Sequence, residues 1–147
     1  MDIELLEQLV DYGIIGLLAL MSFISLWLYI ERLFFYKKIN LQNYKTIEQL
    51  EIDISNNIAT IASFASNSVY IGLLGTVFGI IITFYSMGQT GQIDVKIIMG
   101  SLALALKATA MGLIVAIPSM FFYNHLVRKI EVLTTKWSLI QKERSAT

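Results

Sequence analysis

Apolar residues in this chain do not alternate with polar ones; they gather into three long blocks, roughly Tyr12 to Phe35, Val69 to Met87 and Ile97 to Tyr123. Each block is long enough to cross a bilayer as a helix, which takes about 20 mostly apolar residues. Between the first two blocks, Ile47, Leu50, Ile54, Ile58 and Ile61 recur at intervals of three and four. That spacing predicts an amphipathic helix over about 46–67 that runs towards the second span. Beyond the third block, Leu126, Ile130, Leu133, Trp137 and Ile140 form a heptad-like stripe along a helical tail over 124–147. Neither stripe should face water alone, so the two are expected to pack together. The second and third spans then become the membrane halves of two long helices standing side by side. Gly88 to Lys96, with Gly88 and Gly91, reads as the tight turn joining them. The pattern predicts an all-α chain with three transmembrane helices in a single membrane domain, without internal repeats or a separate soluble domain.

Composition supports the membrane assignment and charge orients it. The 147 residues are 56% hydrophobic with a mean hydropathy of +0.66, more apolar surface than one small soluble core can hide. Eleven basic and eleven acidic residues cancel, but no Asp, Glu, Lys or Arg occurs from Ile54 to Ile93. Arg32, Lys37, Lys38 and Lys45 follow the first span, and Arg128, Lys129, Lys136, Lys142 and Arg144 follow the third. By the positive-inside rule the N-terminus is expected outside and the C-terminus in the cytoplasm, so helices 2 and 3 would extend into the cytoplasm. The first span is preceded by Asp2, Glu4, Glu7 and Asp11 rather than a basic region, so it does not read as a signal peptide and is expected to stay in the chain.

Several function classes find no support. With no cysteine and one histidine, His125, the chain offers neither a disulfide nor a metal cluster, and no cofactor is expected. No nucleophile and base pair emerges, so an enzyme is the least favoured class. GLLGTVFG is glycine-rich but lies within a membrane helix and lacks the Lys-Ser/Thr of a phosphate-binding loop. The basic tail is too modest for nucleic acid.

The polar residues inside the spans carry the candidate chemistry. In the second span Gly72, Gly75 and Gly79 sit three and four apart and form a groove into which another helix backbone can pack. Thr76 borders that groove. In the third span Thr109 is flanked by Ala108, Ala110 and Gly112. A lone threonine in such a place more often bonds back to the carbonyl four residues earlier and helps helices pack. Depth raises this pair above that reading: at the helical rise, Thr76 lies ~16 Å below Met87 and Thr109 ~18 Å below Ile97. Thr83 is nearer the surface and weaker. Lys107, ~15 Å below Ile97, is the sole ionisable side chain inside a span and costs at least ~2.5 kcal/mol there unless it is compensated. Since no acid of this chain is placed at that depth by counting, a partner's carboxylate, a water-filled cavity, snorkelling or a neutral amine are the choices, the first two favoured. Pro118 predicts a packing kink. Glu31 and Arg32 read as a mutually compensated anchor at the inner interface, and Trp27, Tyr29, Phe34, Phe35 and Tyr36 as an interfacial aromatic belt.

YIGLLGTVFGIIITF followed by ALKATAMGLIVAIPSMFFYN resembles the paired signature of the ExbB/TolQ/MotA proton-channel family, over about Ser66 to Asn124. The Glu31-Arg32 pair, the short loop between the first two spans and the topology are similar as well, most of all to compact ExbB members. The resemblance implies a bacterial inner-membrane ring, a homo-oligomer and by analogy a pentamer, around the single-span helices of an ExbD-like or TolR-like partner. It implies that protons driven by the proton-motive force pass a membrane aspartate on that partner, and that the work reaches a TonB-like protein and outer-membrane uptake. Thr76 and Thr109 would be the pore-lining threonines, with Lys107 a polar group on the same path. Family members commonly carry a glutamate where this chain has Leu104, lack a lysine at Lys107, and several have proline where it has Val69. A TolQ-like role in the Tol-Pal envelope system and a purely structural membrane scaffold are the alternatives. Apart from chains of protein, membrane lipids are the expected surroundings.

Overall fold

A computed structural model describes residues 2–147. The described residues form four α-helices, a single 3-10 turn and no strand. Helix α1 spans Ile3–Lys38, the 3-10 turn Leu41–Asn43, α2 Ile47–Ile54, α3 Ile58–Thr90 and α4 Val95–Ala146. The three long helices, α1, α3 and α4, are each long and apolar enough to cross a membrane.

Local chemistry sets the boundaries. The amphipathic stretch predicted as one helix over 46–67 is divided: α2 is capped by Thr46, whose hydroxyl accepts from Gln49 N, and Asn57 adopts φ 65° just before α3. Asparagine tolerates this left-handed conformation better than most residues, so the chain can change direction there. The turn between α3 and α4 shrinks to residues 91–94. Gly91, also at φ 65°, ends α3 by donating its N–H to the Met87 carbonyl, and the Asp94 carboxylate caps α4 by accepting from Lys96 N. Pro118 does not interrupt α4, which runs through it from Val95 to Ala146; the proline costs one backbone hydrogen bond.

Helices α3 and α4 stand antiparallel and unusually close. A methyl added at Gly79 would lie 2.7 Å from Ala105 Cβ, one at Gly75 2.7 Å from Ala108 Cβ, and one at Gly72 2.7 Å from the Ala108 carbonyl oxygen. At Gly112 it would lie 2.6 Å from the Ser68 carbonyl oxygen. The groove predicted from Gly72, Gly75 and Gly79 is therefore filled by Ala105, Ala108 and Gly112 of this same chain. Helix α1 packs across both: Leu18 and Met21 meet Val115, with Ile14, Phe64, Ile71 and Met111 around them.

At the end remote from the 91–94 turn, the two stripes meet as expected. Leu50, Ile54, Ile58, Ile61 and Leu126 are buried in one cluster with Tyr36, against which Ile130, Leu133 and Trp137 pack. Trp137 Nε1 donates to the Tyr44 carbonyl and Tyr44 donates to Asp53, so the loop before α2 is tied to the tail of α4. Burial against these apolar neighbours and the bond to the Asp53 carboxylate push the Tyr44 phenol above its ordinary value. The aromatic residues of the first span do not form a single belt. Trp27 and Phe34 are exposed, whereas Tyr36 is buried and Tyr29 turns inward to stack on Phe122, 4.4 Å between centroids.

Candidate functional site

Thr76 and Thr109 face each other across the α3–α4 contact, where the glycine and alanine pairs bring the backbones together. Thr76 is buried and its hydroxyl bonds that of Thr109 directly. Thr76 Oγ1 also lies 2.9 Å from the Ala105 carbonyl, and both hydroxyls lie 3.4 Å from the Gly72 carbonyl. Each hydroxyl has one proton to give. In one arrangement Thr109 donates to Thr76 and Thr76 to Ala105; in the reverse, Thr76 donates to Thr109 and Thr109 to Gly72. The shorter contact favours the first. A two-member hydrogen-bond chain thus links a carbonyl of α4 to one of α3, and rotating both hydroxyls reverses its direction. The back-bond to residue i−4, weighed from sequence as the plain explanation of Thr76, is present but is the longest of its contacts. Thr83 shows only that back-bond, 2.7 Å to the Gly79 carbonyl.

Lys107 lies on the opposite side of α4 and does not join the threonine chain. Its Nζ is 3.7 Å from Oδ2 of Asp11 on α1. The expectation that no acid of this chain reaches the depth of Lys107 is therefore corrected. Counting from the first apolar block put Asp11 ahead of the span, but α1 already begins at Ile3, beside Met87 and Ile97 of the neighbouring helices. Glu4, Glu7 and Asp11, spaced three and four apart, line a cavity of about 250 Å³ whose floor is Gly75, Gly79, Ala105 and Ala108. Leu104 also borders this cavity. The signal that could have found Asp11 was that spacing together with an otherwise uncompensated lysine.

Glu31 and Arg32 do pair, with Nε donating to Oε2 at 2.6 Å and Nη2 to Oε1 at 2.7 Å. Arg32 also reaches beyond Glu31: at 4% exposure it lies over the Phe35 ring and its Nη1 donates to the Asp53 carbonyl, 3.0 Å. Tyr36 donates to the Ile54 carbonyl. Together they satisfy two of the carbonyls left open where α2 ends. Sequence reading did not foresee this, nor the 2.6 Å bond between Tyr29 and His125 Nδ1, because all of these bonds join groups far apart in the chain.

Residues 28–139 match the model of the MotA/TolQ/ExbB proton channel family. The chain is 48% identical over 144 residues to the biopolymer transport protein ExbB of Aquifex aeolicus, covering 98% of this chain and 97% of that one. It is 45% identical over 140 residues to the ExbB of Helicobacter pylori strain J99, covering 95% and 97%. It is also 37% identical over 97 residues to the Tol-Pal system protein TolQ of Haemophilus influenzae, covering 66% and 41%. A three-span helical membrane protein with this threonine pair, matched along nearly its whole length, belongs to the MotA/TolQ/ExbB proton channel family.

Proposed function

We propose that this chain is the proton-channel subunit of a TonB–ExbB–ExbD-type complex, which uses the proton-motive force to drive TonB-dependent uptake across the outer membrane. The observation that carries the proposal is the Thr76–Thr109 hydrogen-bond chain in the α3–α4 contact of a chain so similar to proteins named ExbB. Its two proton arrangements give the site a way to hand a hydrogen bond from one helix to the other without ionising either hydroxyl. In the proposed assembly, water or the carboxylate of an ExbD-like single-span partner meets these hydroxyls inside a homo-oligomeric ring, pentameric by family analogy.

Two features support the assembly and its orientation. Large apolar side chains remain exposed on α3 from Tyr70 to Tyr85 and on α4 from Leu104 to Phe121, more surface than one lipid-facing side requires, and further subunits as well as lipid can cover it. Lys37, Arg128, Lys129 and Lys136 line one cavity at the end opposite the 91–94 turn, which suits an inner-membrane protein with that end cytoplasmic and the N-terminus periplasmic. A TolQ-like role in the Tol-Pal system is the second reading, favoured by the 37% identity to TolQ.

The test is proton influx into vesicles containing the complex formed on co-expression with an ExbD-like single-span protein. Thr76→Val and Thr109→Val should each cut influx per assembled complex while leaving assembly intact. Influx equal to wild type in both variants would overturn the threonine path. Restored siderophore uptake in a strain lacking its own ExbB, without rescue of a strain lacking TolQ, would favour the TonB role over the Tol-Pal one.

A further inference from the structure

The threonine chain leaves the charged residues at its level unexplained. Helices α1 and α4 run parallel in one fixed register. Asp11 meets Lys107 and, further along, Tyr29 meets His125, and both pairs are 96 residues apart. Eighteen residues of helix, ~27 Å, separate the two contacts. Between them the packing of Ile14, Leu18 and Met21 with Met111 and Val115 holds that register. The approach of Asp11 to Lys107 is thus dictated by the helix pair and is not the chance meeting of two mobile side chains.

Lys107 follows Leu104 and Leu106, both exposed and apolar, and its neighbours three and four residues away on α4 are Ala103, Leu104, Ala110 and Met111, so its charge has no polar partner on its own helix. Its side chain is 51% exposed and that of Asp11 37%, before any lipid or neighbouring subunit covers them. Desolvation in the membrane would make each charge costly alone and the pair tolerable. On the opposite side of the same α4 turns, Ala105 and Thr109 meet Thr76.

We propose that Asp11 is the counter-ion of Lys107 and that this intrachain pair is a positioning element: within the register that the apolar packing sets, it holds against α1 the turn of α4 that presents Ala105 and Thr109 to Thr76. Helix α1 thereby contributes to the threonine site without touching it. The flux consequence rests on the proton-channel reading; the pairing does not.

Asp11→Asn, Lys107→Met, the double variant, and the exchange Asp11→Lys with Lys107→Asp test this in the co-expressed complex. Each single substitution should lower influx per assembled complex about tenfold by leaving one charge unpaired, whereas the double variant should recover to within about threefold of wild type. The exchanged pair should recover in part, and the conservative Asp11→Glu and Lys107→Arg should keep most of the influx. Wild-type influx in Asp11→Asn, or a double variant poorer than both singles, would overturn the proposal. If the wild-type complex moves no protons above protein-free vesicles, the channel reading fails. The same cycle is then read in the melting temperature of the purified complex, where recovery in the double variant supports the pair and simple additivity of the two losses overturns it.

Discussion

At the scale of single residues, the hydroxyls of Thr76 and Thr109 serve each other. Valine keeps the shape of threonine and deletes the hydroxyl, so the loss of one such bond should cost stability only about 1 kcal/mol while breaking the chain between the Ala105 and Gly72 carbonyls. A large drop in influx beside a small shift in melting temperature is the expected signature. Arg32 should behave in the opposite way. Its guanidinium serves Glu31 with two nitrogens and the Asp53 carbonyl with a third, a fork that an ammonium cannot copy. Arg32→Lys should therefore lower thermal stability by about 1–3 kcal/mol in equilibrium or melting measurements, through the open α2 carbonyls, with no change in the threonine geometry. The threonines were legible in the sequence because small residues and depth single them out. The work of Arg32 was not, since its acceptor lies 21 residues away on another element.

At the scale of helices, α3 and α4 depend on missing side-chain atoms. Gly72→Ala and Gly112→Ala would place a methyl against backbone oxygens at 2.7 and 2.6 Å, which cannot yield as a flexible side chain can. Each should cost about 1–3 kcal/mol by forcing the helices apart, and should lengthen the threonine contact as well. Gly16→Ala on α1, where a methyl meets nothing within 4 Å, should be neutral or slightly stabilising through helix propensity. Comparing the yield and melting temperature of the three variants separates a packing groove from a general intolerance of alanine. The glycine spacing announced the groove in the sequence, but the partner backbone could have belonged to another subunit; the antiparallel register assigned it to α4. The break at Asn57 was hidden because the apolar stripe continues at three- and four-residue intervals across it, and only the left-handed φ reveals the turn.

For the whole molecule, the wide apolar exposure of α3 and α4 leads to an assembly prediction. Native mass spectrometry of the chain co-expressed with an ExbD-like protein should show a closed homo-oligomer holding a partner chain, and a monodisperse monomer without partner would refute the ring. The three spans, the pairing of the two apolar stripes and the shared level of Thr76 and Thr109 were determined by the sequence alone, because hydropathy, helical period and small-residue spacing are local properties of the chain. Only the tertiary structure decided what Lys107 faces. Counting residues along one helix measures depth on that helix, but the relative height of α1 and α4 is set by side-chain packing between segments 96 residues apart. That offset, absent from any local pattern, is what carries Asp11 to the lysine and joins the first span to the site built by the other two.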